Sequence, residues 1–191
     1  MQTMNEPSVE IPDPTSLLAK IARGEPETLK YMKRINKIVS FLYRIYIAPL
    51  LGLGFIFVII ETAGRKTGKR RFTPVEYHRL YEDKVTVISS RGRKADWVKN
   101  IKAAKDIAYL HVGFKKYRAR ALFIDDITTK RELLKSYCVK YPYASRVLLK
   151  IDVKKDRHIL ESEAFKSLVD TLEFVAFEPI RENEERKGNY L

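Results

Sequence analysis

Residues 55–81 read FIFVIIETAGRKTGKRRFTPVEYHRLY, two apolar-patterned runs on either side of a strongly basic turn. Phe55 to Glu61 is apolar up to its last residue and rich in β-branched side chains, which predicts a central strand covered on both faces. Phe72 to Tyr81 predicts the strand that returns beside it. Between them Arg65, Lys66, Lys69, Arg70 and Arg71 place five cations within seven residues. Gly64 and Gly68 bracket the first pair, and both can take positive φ and let backbone amides approach an anion. Arg65, Lys66 and Arg71 would then add charge-assisted hydrogen bonds to phosphate oxygens. A solvated basic turn is the alternative for any single hairpin of this kind. The turn is neither a Walker loop, whose GxxxxGK[ST] is absent, nor a dinucleotide fingerprint, because a strand follows where a helix is needed.

Downstream, the acidic pair Glu82 and Asp83 predicts a tight turn into a third strand, Lys84 to Ser90, with Val85 and Val87 alternating against Lys84 and Thr86. Ala95 to Lys105 reads as a helix with Asp96 at its start and Trp97, Ile101 and Ala104 on one face. Ile107 to Val112 and Tyr117 to Ile124 form a strand pair about Gly113. A second helix spans Thr128 to Cys138, with Thr128 or Thr129 as cap and Leu133, Leu134 and Tyr137 inward. Tyr141 and Pro142 interrupt it, because the residue before a proline disfavours the α region, and Ala144 to Leu149 resumes it. Ser162 to Leu172 reads as helix and Glu173 to Pro179 as a last strand. About six strands, mostly adjacent in sequence, predict a mainly β, α+β fold: an antiparallel barrel with helices packed outside.

Upstream, Leu29, Met32, Ile35, Ile38, Val39, Leu42 and Ile45 recur at steps of three and four, so Glu27 to Tyr46 predicts an amphipathic helix. Its polar face carries Lys30, Lys33, Arg34, Lys37 and Arg44. Such a face can lie on an anionic membrane or be solvated while the helix packs across the barrel. Ile45 to Ile60 is broken by Pro49, Gly52 and Gly54 and falls short of the roughly 20 residues of a spanning helix, so a loop and a buried strand are expected.

The 191 residues hold 37 Lys plus Arg against 24 Asp plus Glu, a net charge of +13 that favours an anionic partner: nucleic acid, a phosphate-bearing cofactor or an acidic membrane. The single cysteine, Cys138, excludes an intramolecular disulfide and a Cys-rich zinc site, and reads as helix packing. The polar N-terminus lacks the layout of a secretory leader, so a cytoplasmic protein is expected. There is no GxSxG and no HExxH, and His78, His111 and His158 lie far apart, each read as surface or packing; no metal site is expected.

The second candidate stretch is Val87 to Asn100, VISSRGRKADWVKN. A strand ends in Ser89 and Ser90, turns at Arg91 and Gly92, and enters a helix start whose free amides favour an anion. Trp97 is either a core residue or a cofactor-facing one. Two basic turns entering one sheet neighbourhood strengthen a phosphate site over a solvated turn.

Together these stretches resemble the deazaflavin-dependent nitroreductase and quinone reductase family, relatives of the FMN-binding split barrels. The residues that carry the likeness are Thr62, Gly64, Arg65, Lys66, Gly68, Arg71, Thr73 and Pro74 in the first turn, then Ser89 and Gly92, then Trp97 and Asn100. It continues weakly through Ile101 to Ala103, Arg118 to Leu122 and Tyr141 to Ala144, covering roughly residues 45–145. Arg91 stands where the family has a glycine, the following loop is two residues shorter, and Lys105 stands where a proline is usual. The resemblance implies a split β-barrel and coenzyme F420, with phosphate and oligoglutamate tail near the basic turn, and hydride transfer to a quinone, nitro compound or activated alkene. It implies cofactor contacts from those residues with Thr67, Ser90 and Arg91, a proton-donating or hydrogen-bonding Tyr143, and a homodimer. FMN on the same fold, and a non-enzymatic module for RNA or a membrane surface, are the alternatives. The expected organisation is a disordered tail over 1–26, one domain over 27–180 with a helical insertion near 146–171, and a polar tail over 181–191.

Overall fold

The structure is a computed structural model and describes residues 20–21, 25–44 and 56–180; the expectations for the tails and for the loop 45–55 lie largely outside them. Helix α1 (Pro26–Arg44) precedes β1 (Phe57–Ala63), β2 (Arg70–Tyr81) and β3 (Lys84–Ser89). A 3₁₀ turn at Gly92–Lys94 leads to α2 (Asp96–Ala103), β4 (Ile107–Val112) and β5 (Lys115–Ile124). Helices α3 (Ile127–Lys140) and α4 (Pro142–Leu148), a 3₁₀ turn at His158–Glu161, α5 (Glu163–Thr171) and β6 (Glu173–Pro179) complete it.

The six strands close into an antiparallel barrel in the order β1-β2-β3-β6-β5-β4. Hairpins build most of it: β2 and β3 turn at Glu82 and Asp83, both at positive φ, as a two-residue hairpin turn requires. Gly113, at φ 57°, opens the two-residue link from β4 to β5. The last strand inserts between β3 and β5 and seals the wall.

Alternation along the strands makes two cores. Val58, Ile60, Val85, Val87, Leu110, Val175 and Phe177 fill the barrel, where Trp97, Val98 and Ile101 of α2 pack against them. Outward-facing Phe174 and Ala176 meet Leu133, Leu134, Tyr137 and Cys138 of α3 and Phe165, Leu168 and Val169 of α5 in a second core. The 146–171 stretch supplies Leu149, Ile151 and Leu160 to that same core. On another side, Ile59 and Tyr43 are buried together beneath α1 with Val39, Leu42 and Phe72 packed around them. The two-sided burial expected of β1 follows: Val58 and Ile60 point in, Ile59 and Glu61 point out, and all four are covered.

Two local expectations change. The cap of α3 is Asp126, whose carboxylate accepts from the Thr129 amide and hydroxyl, so the helix starts before Thr128. Pro142 begins a separate helix instead of interrupting one, its fixed φ suiting the first helical position.

Candidate functional site

The turn between β1 and β2 is closed on itself. The Gly64 amide donates to Lys69 O at 2.8 Å, and the Thr67 and Gly68 amides donate to Gly64 O at 3.0 and 2.7 Å. Gly68 takes φ 65°, whereas Gly64 does not have positive φ; a Cβ on Gly64 would stand 3.2 Å from Lys69 O. The Arg65 amide donates to Asn100 Oδ1 at 3.2 Å. Four amides of the turn are thus committed inside the protein, which corrects the expectation of a backbone anion cradle. An anion at this turn would be met by side chains.

Asn100 is the post that fixes the turn. It is buried on α2, accepts at Oδ1 from the Arg65 amide and from Arg65 Nη1 (3.1 Å), and donates through Nδ2 toward Thr62 Oγ1 at 3.4 Å. Arg65 Nη2 also meets Asp96 at 3.0 Å. The two candidate stretches of the sequence therefore touch, through Arg65, Asp96 and Asn100.

Between this turn and α1 lies a groove of about 800 Å³. Gly64, Arg65, Lys66, Thr67, Arg71, Thr73 and Asn100 line it among the sequence candidates, together with Arg70 and Phe72. From α1 come Lys33, Asn36, Lys37, Ser40 and Phe41. Six cations face one carboxylate, Asp96, and that carboxylate is already paired to Arg65. The basic face of α1 is thus a wall of the groove, which the sequence could not show because helix and turn meet only through tertiary packing.

The remaining candidates do not line it. Pro74 is buried and paired with Ile59. Ser89 is buried and donates to Gly92 O at 3.0 Å, while Gly92, at φ 51°, sits where a Cβ would come within 2.6 Å of Thr171 O. The amides of Lys94 and Ala95 are spent on Arg91 O and Gly92 O, so this turn is not an open anion site, and Ser90 and Arg91 are half-buried beside it. Trp97 belongs to the barrel core. Tyr143 is 72% exposed on α4, with the Arg146 guanidinium 5.7 Å from its ring centroid. No described residue of 146–171 lines the groove.

Sequence reasoning missed a cluster on the outer barrel wall. Glu61 is only 5% exposed, yet Arg70 Nε (2.6 Å) and Nη2 meet its Oε1, and His111 Nε2 (2.7 Å) and Lys116 Nζ (2.8 Å) meet its Oε2. Burial would raise the Glu61 carboxyl, but hydrogen bonds from Lys116, His111 and Arg70 outweigh it and hold it at about 2. His111 is pushed below its ordinary value by burial, against the pull of Glu61, so it serves as a neutral donor.

Comparison with known proteins adds the family. No curated protein matches the chain. Among solved structures it is similar to a conserved hypothetical protein of Mycobacterium tuberculosis, at 10% identity and TM-score 0.45, over 66% of this chain and 74% of that one. It is also similar to an F420-H2 dependent reductase, FDR-A, at 17% identity and TM-score 0.40, over 64% of this chain and 93% of that one. A chain described as a domain-swapped dimer aligns at 17% identity and TM-score 0.41, over 64% and 79%. Residues 49–154, more than half of the sequence, match the F420H(2)-dependent quinone reductases, and they contain the basic turn, Asn100 and the Glu61 cluster: the chain belongs to that family, an oxidoreductase family that uses F420.

Proposed function

We propose that the protein reduces a quinone, with the cofactor held in the groove between α1 and the basic turn. The observation that carries this reading is the charge of that groove: six cations line it against a single carboxylate that is already neutralised. Such a lining fits a phosphate-bearing, acid-tailed cofactor. Bound F420H2 supplies a hydride and a proton, becoming F420 as the quinone becomes a quinol. The chain's own residues bind and orient. Lys66 and Arg71 hold the phosphate, Asn100 keeps the turn in place, and Phe72 and Phe41 give the groove apolar surface. Nitro compounds and activated alkenes are further acceptors that the same hydride chemistry would serve.

Titration with F420, FMN and a short RNA tests the reading. Wild type should bind F420 in preference to FMN. Lys66→Ala with Arg71→Ala should weaken that binding by about 3–6 kcal/mol, since a hydrogen bond to a charged group is worth roughly 1.5–3 kcal/mol. Unchanged F420 affinity in the double variant would remove the basic turn from the site. Tight RNA binding with a steep salt slope and no cofactor signal would replace the reading altogether.

A second reading concerns where the reaction takes place. Tyr31, Ile38 and Phe41 are exposed at helical spacing on α1, with Arg34 between them and Lys30 beside them. Apolar side chains flanked by cations favour an anionic lipid surface. Among the described residues no helix is long and apolar enough to cross a membrane, so attachment would be peripheral.

A further inference from the structure

The groove at the basic turn gathers six of the chain's cations, and a separate basic surface lies on the outer wall formed by β4 and β5. In β5, Tyr117, Ala119 and Ala121 pack into the barrel, so Lys116, Arg118 and Arg120 point out. Beyond them Leu122 and Ile124 turn the same face of the strand into the second core. The three cations therefore stand in a row at intervals of about 7 Å, two strand rises each. That interval is close to the spacing of successive phosphates along a nucleic-acid strand.

Strand register sets an aromatic beside the row. Arg118 pairs with Tyr109, and Lys116 pairs with His111. Tyr109 is 43% exposed, and the Lys116 ammonium stands 4.9 Å from its ring centroid. A cavity of about 660 Å³ opens here, with Tyr109, Ile107 and Ala104 as apolar lining and Arg70, Lys105, Lys116 and Arg118 as cations. Among the described residues that line it, Glu61 is the one carboxylate, buried beneath Arg70 and Lys116. At Lys105 and Ile107 the cavity continues into another of about 470 Å³, which Lys102 and Arg120 line. Asp106 and Asp125 line this second cavity too, already paired to Lys102 and Arg93, and Glu178 faces Arg120 from β6. The positive field is thus strongest around Tyr109.

We propose that the outer face of β4 and β5 binds single-stranded nucleic acid, with Lys116, Arg118 and Arg120 on successive phosphates and a base stacked on Tyr109. The concave shape favours a flexible chain over a membrane, because a bilayer surface cannot follow it. The aromatic favours a base-bearing polyanion over an acidic polypeptide, since every base offers a face to stack. A duplex keeps its bases stacked on one another and would meet only the cations. This surface shares only Arg70 with the groove at the basic turn, so it neither requires nor excludes a cofactor there.

The test is fluorescence anisotropy with short labelled single strands of mixed sequence, RNA and DNA, at rising salt. Wild type should bind one or both, in preference to a duplex of the same sequence, and saturating F420 should leave the complex in place. Tyr109→Ala should lower affinity about tenfold, while Tyr109→Phe, which keeps the ring, should retain it. Arg118→Gln and Arg120→Gln should each flatten the slope of log affinity against log salt by about 0.7. Wild type that binds neither strand at low salt would overturn the proposal, as would a duplex bound equally well or an affinity that Tyr109→Ala leaves unchanged. Displacement by polyglutamate at equal charge would show bare charge attraction and overturn it too. Displacement by F420, or loss of binding in Lys66→Ala with Arg71→Ala and not in the β4 and β5 variants, would move the nucleic acid to the basic turn, and the proposal falls.

Discussion

Protonating Glu61 would leave Arg70 and Lys116 facing a neutral carboxyl with no charge to hold them together. The folded carboxyl sits at about 2 against an ordinary value of 4.5, so its contribution to stability is complete above about pH 5. It is lost as the pH falls through 4.5 toward 2, and about 3 kcal/mol is at stake at roughly 1.4 kcal/mol per unit. His111 has a depressed value as well, so its proton uptake adds a loss that begins near its ordinary value of 6.5. Urea unfolding between pH 7 and pH 3 should show stability falling throughout, and Glu61→Gln should lose the steep part below pH 5. A variant that keeps the wild-type slope would show that the cluster does not govern acid stability. None of this cluster was legible in the sequence. Glu61 reads as the last residue of a strand, and its partners come from three other strands through registers such as Ile59 opposite His111 and His111 opposite Lys116. Arg65 and Asn100, by contrast, were both in the quoted motifs; what the motifs did not disclose is that they bond to each other.

Caps and tight approaches decide where the elements end. Ser162 Oγ accepts from the Phe165 amide at 3.2 Å at the start of α5, and Ser162→Ala should cost about 1 kcal/mol, a thermal shift of roughly 2–4 °C. Gly92 is less forgiving. Its left-handed φ alone would cost alanine about 1–2 kcal/mol, and the added Cβ would meet Thr171 O at 2.6 Å, so Gly92→Ala should destabilise by more than Ser162→Ala in the same melt. A smaller effect at Gly92 would mean that the α5 to β6 corner yields easily. Strand order within hairpins, the acidic turn at Glu82 and Asp83, and the inward face of α3 were all legible, because each follows from alternation, helical period or turn chemistry over a few residues. The cap of α3 is not decided by the sequence, since Asp126, Thr128 and Thr129 all suit a cap, and only the bond from the Thr129 amide to Asp126 decides among them. The resemblance assigns the serine and glycine of the second motif to the cofactor; in the structure the Ser89 hydroxyl donates to Gly92 O, and Gly92 packs against Thr171 O at the α5 to β6 corner, a contact that no local pattern predicts.

At the scale of the molecule, the +13 charge named the kind of partner but not its place. Helix α1 has a part in both readings: Lys33, Lys37 and Phe41 line the groove, while Tyr31 and Ile38 stand exposed outside it on either side of Arg34. Helical periodicity alone does not distinguish a solvated basic side from one that faces a groove, because that depends on where the helix crosses β2. Lys30 and Arg34 do not line the groove, so a ligand in the groove would leave them free to meet a lipid surface. Two cations near an anionic bilayer contribute about 2 kcal/mol, roughly thirtyfold in partitioning, in addition to the burial of the exposed side chains. Full-length protein should therefore sediment with vesicles containing anionic phospholipid at low salt and be released as ionic strength rises. Ile38→Glu should leave the protein in the supernatant without altering its F420 titration, since Ile38 lies outside the groove. Equal sedimentation of wild type and variant, or equal binding to neutral vesicles, would confine α1 to its role as the wall of the groove.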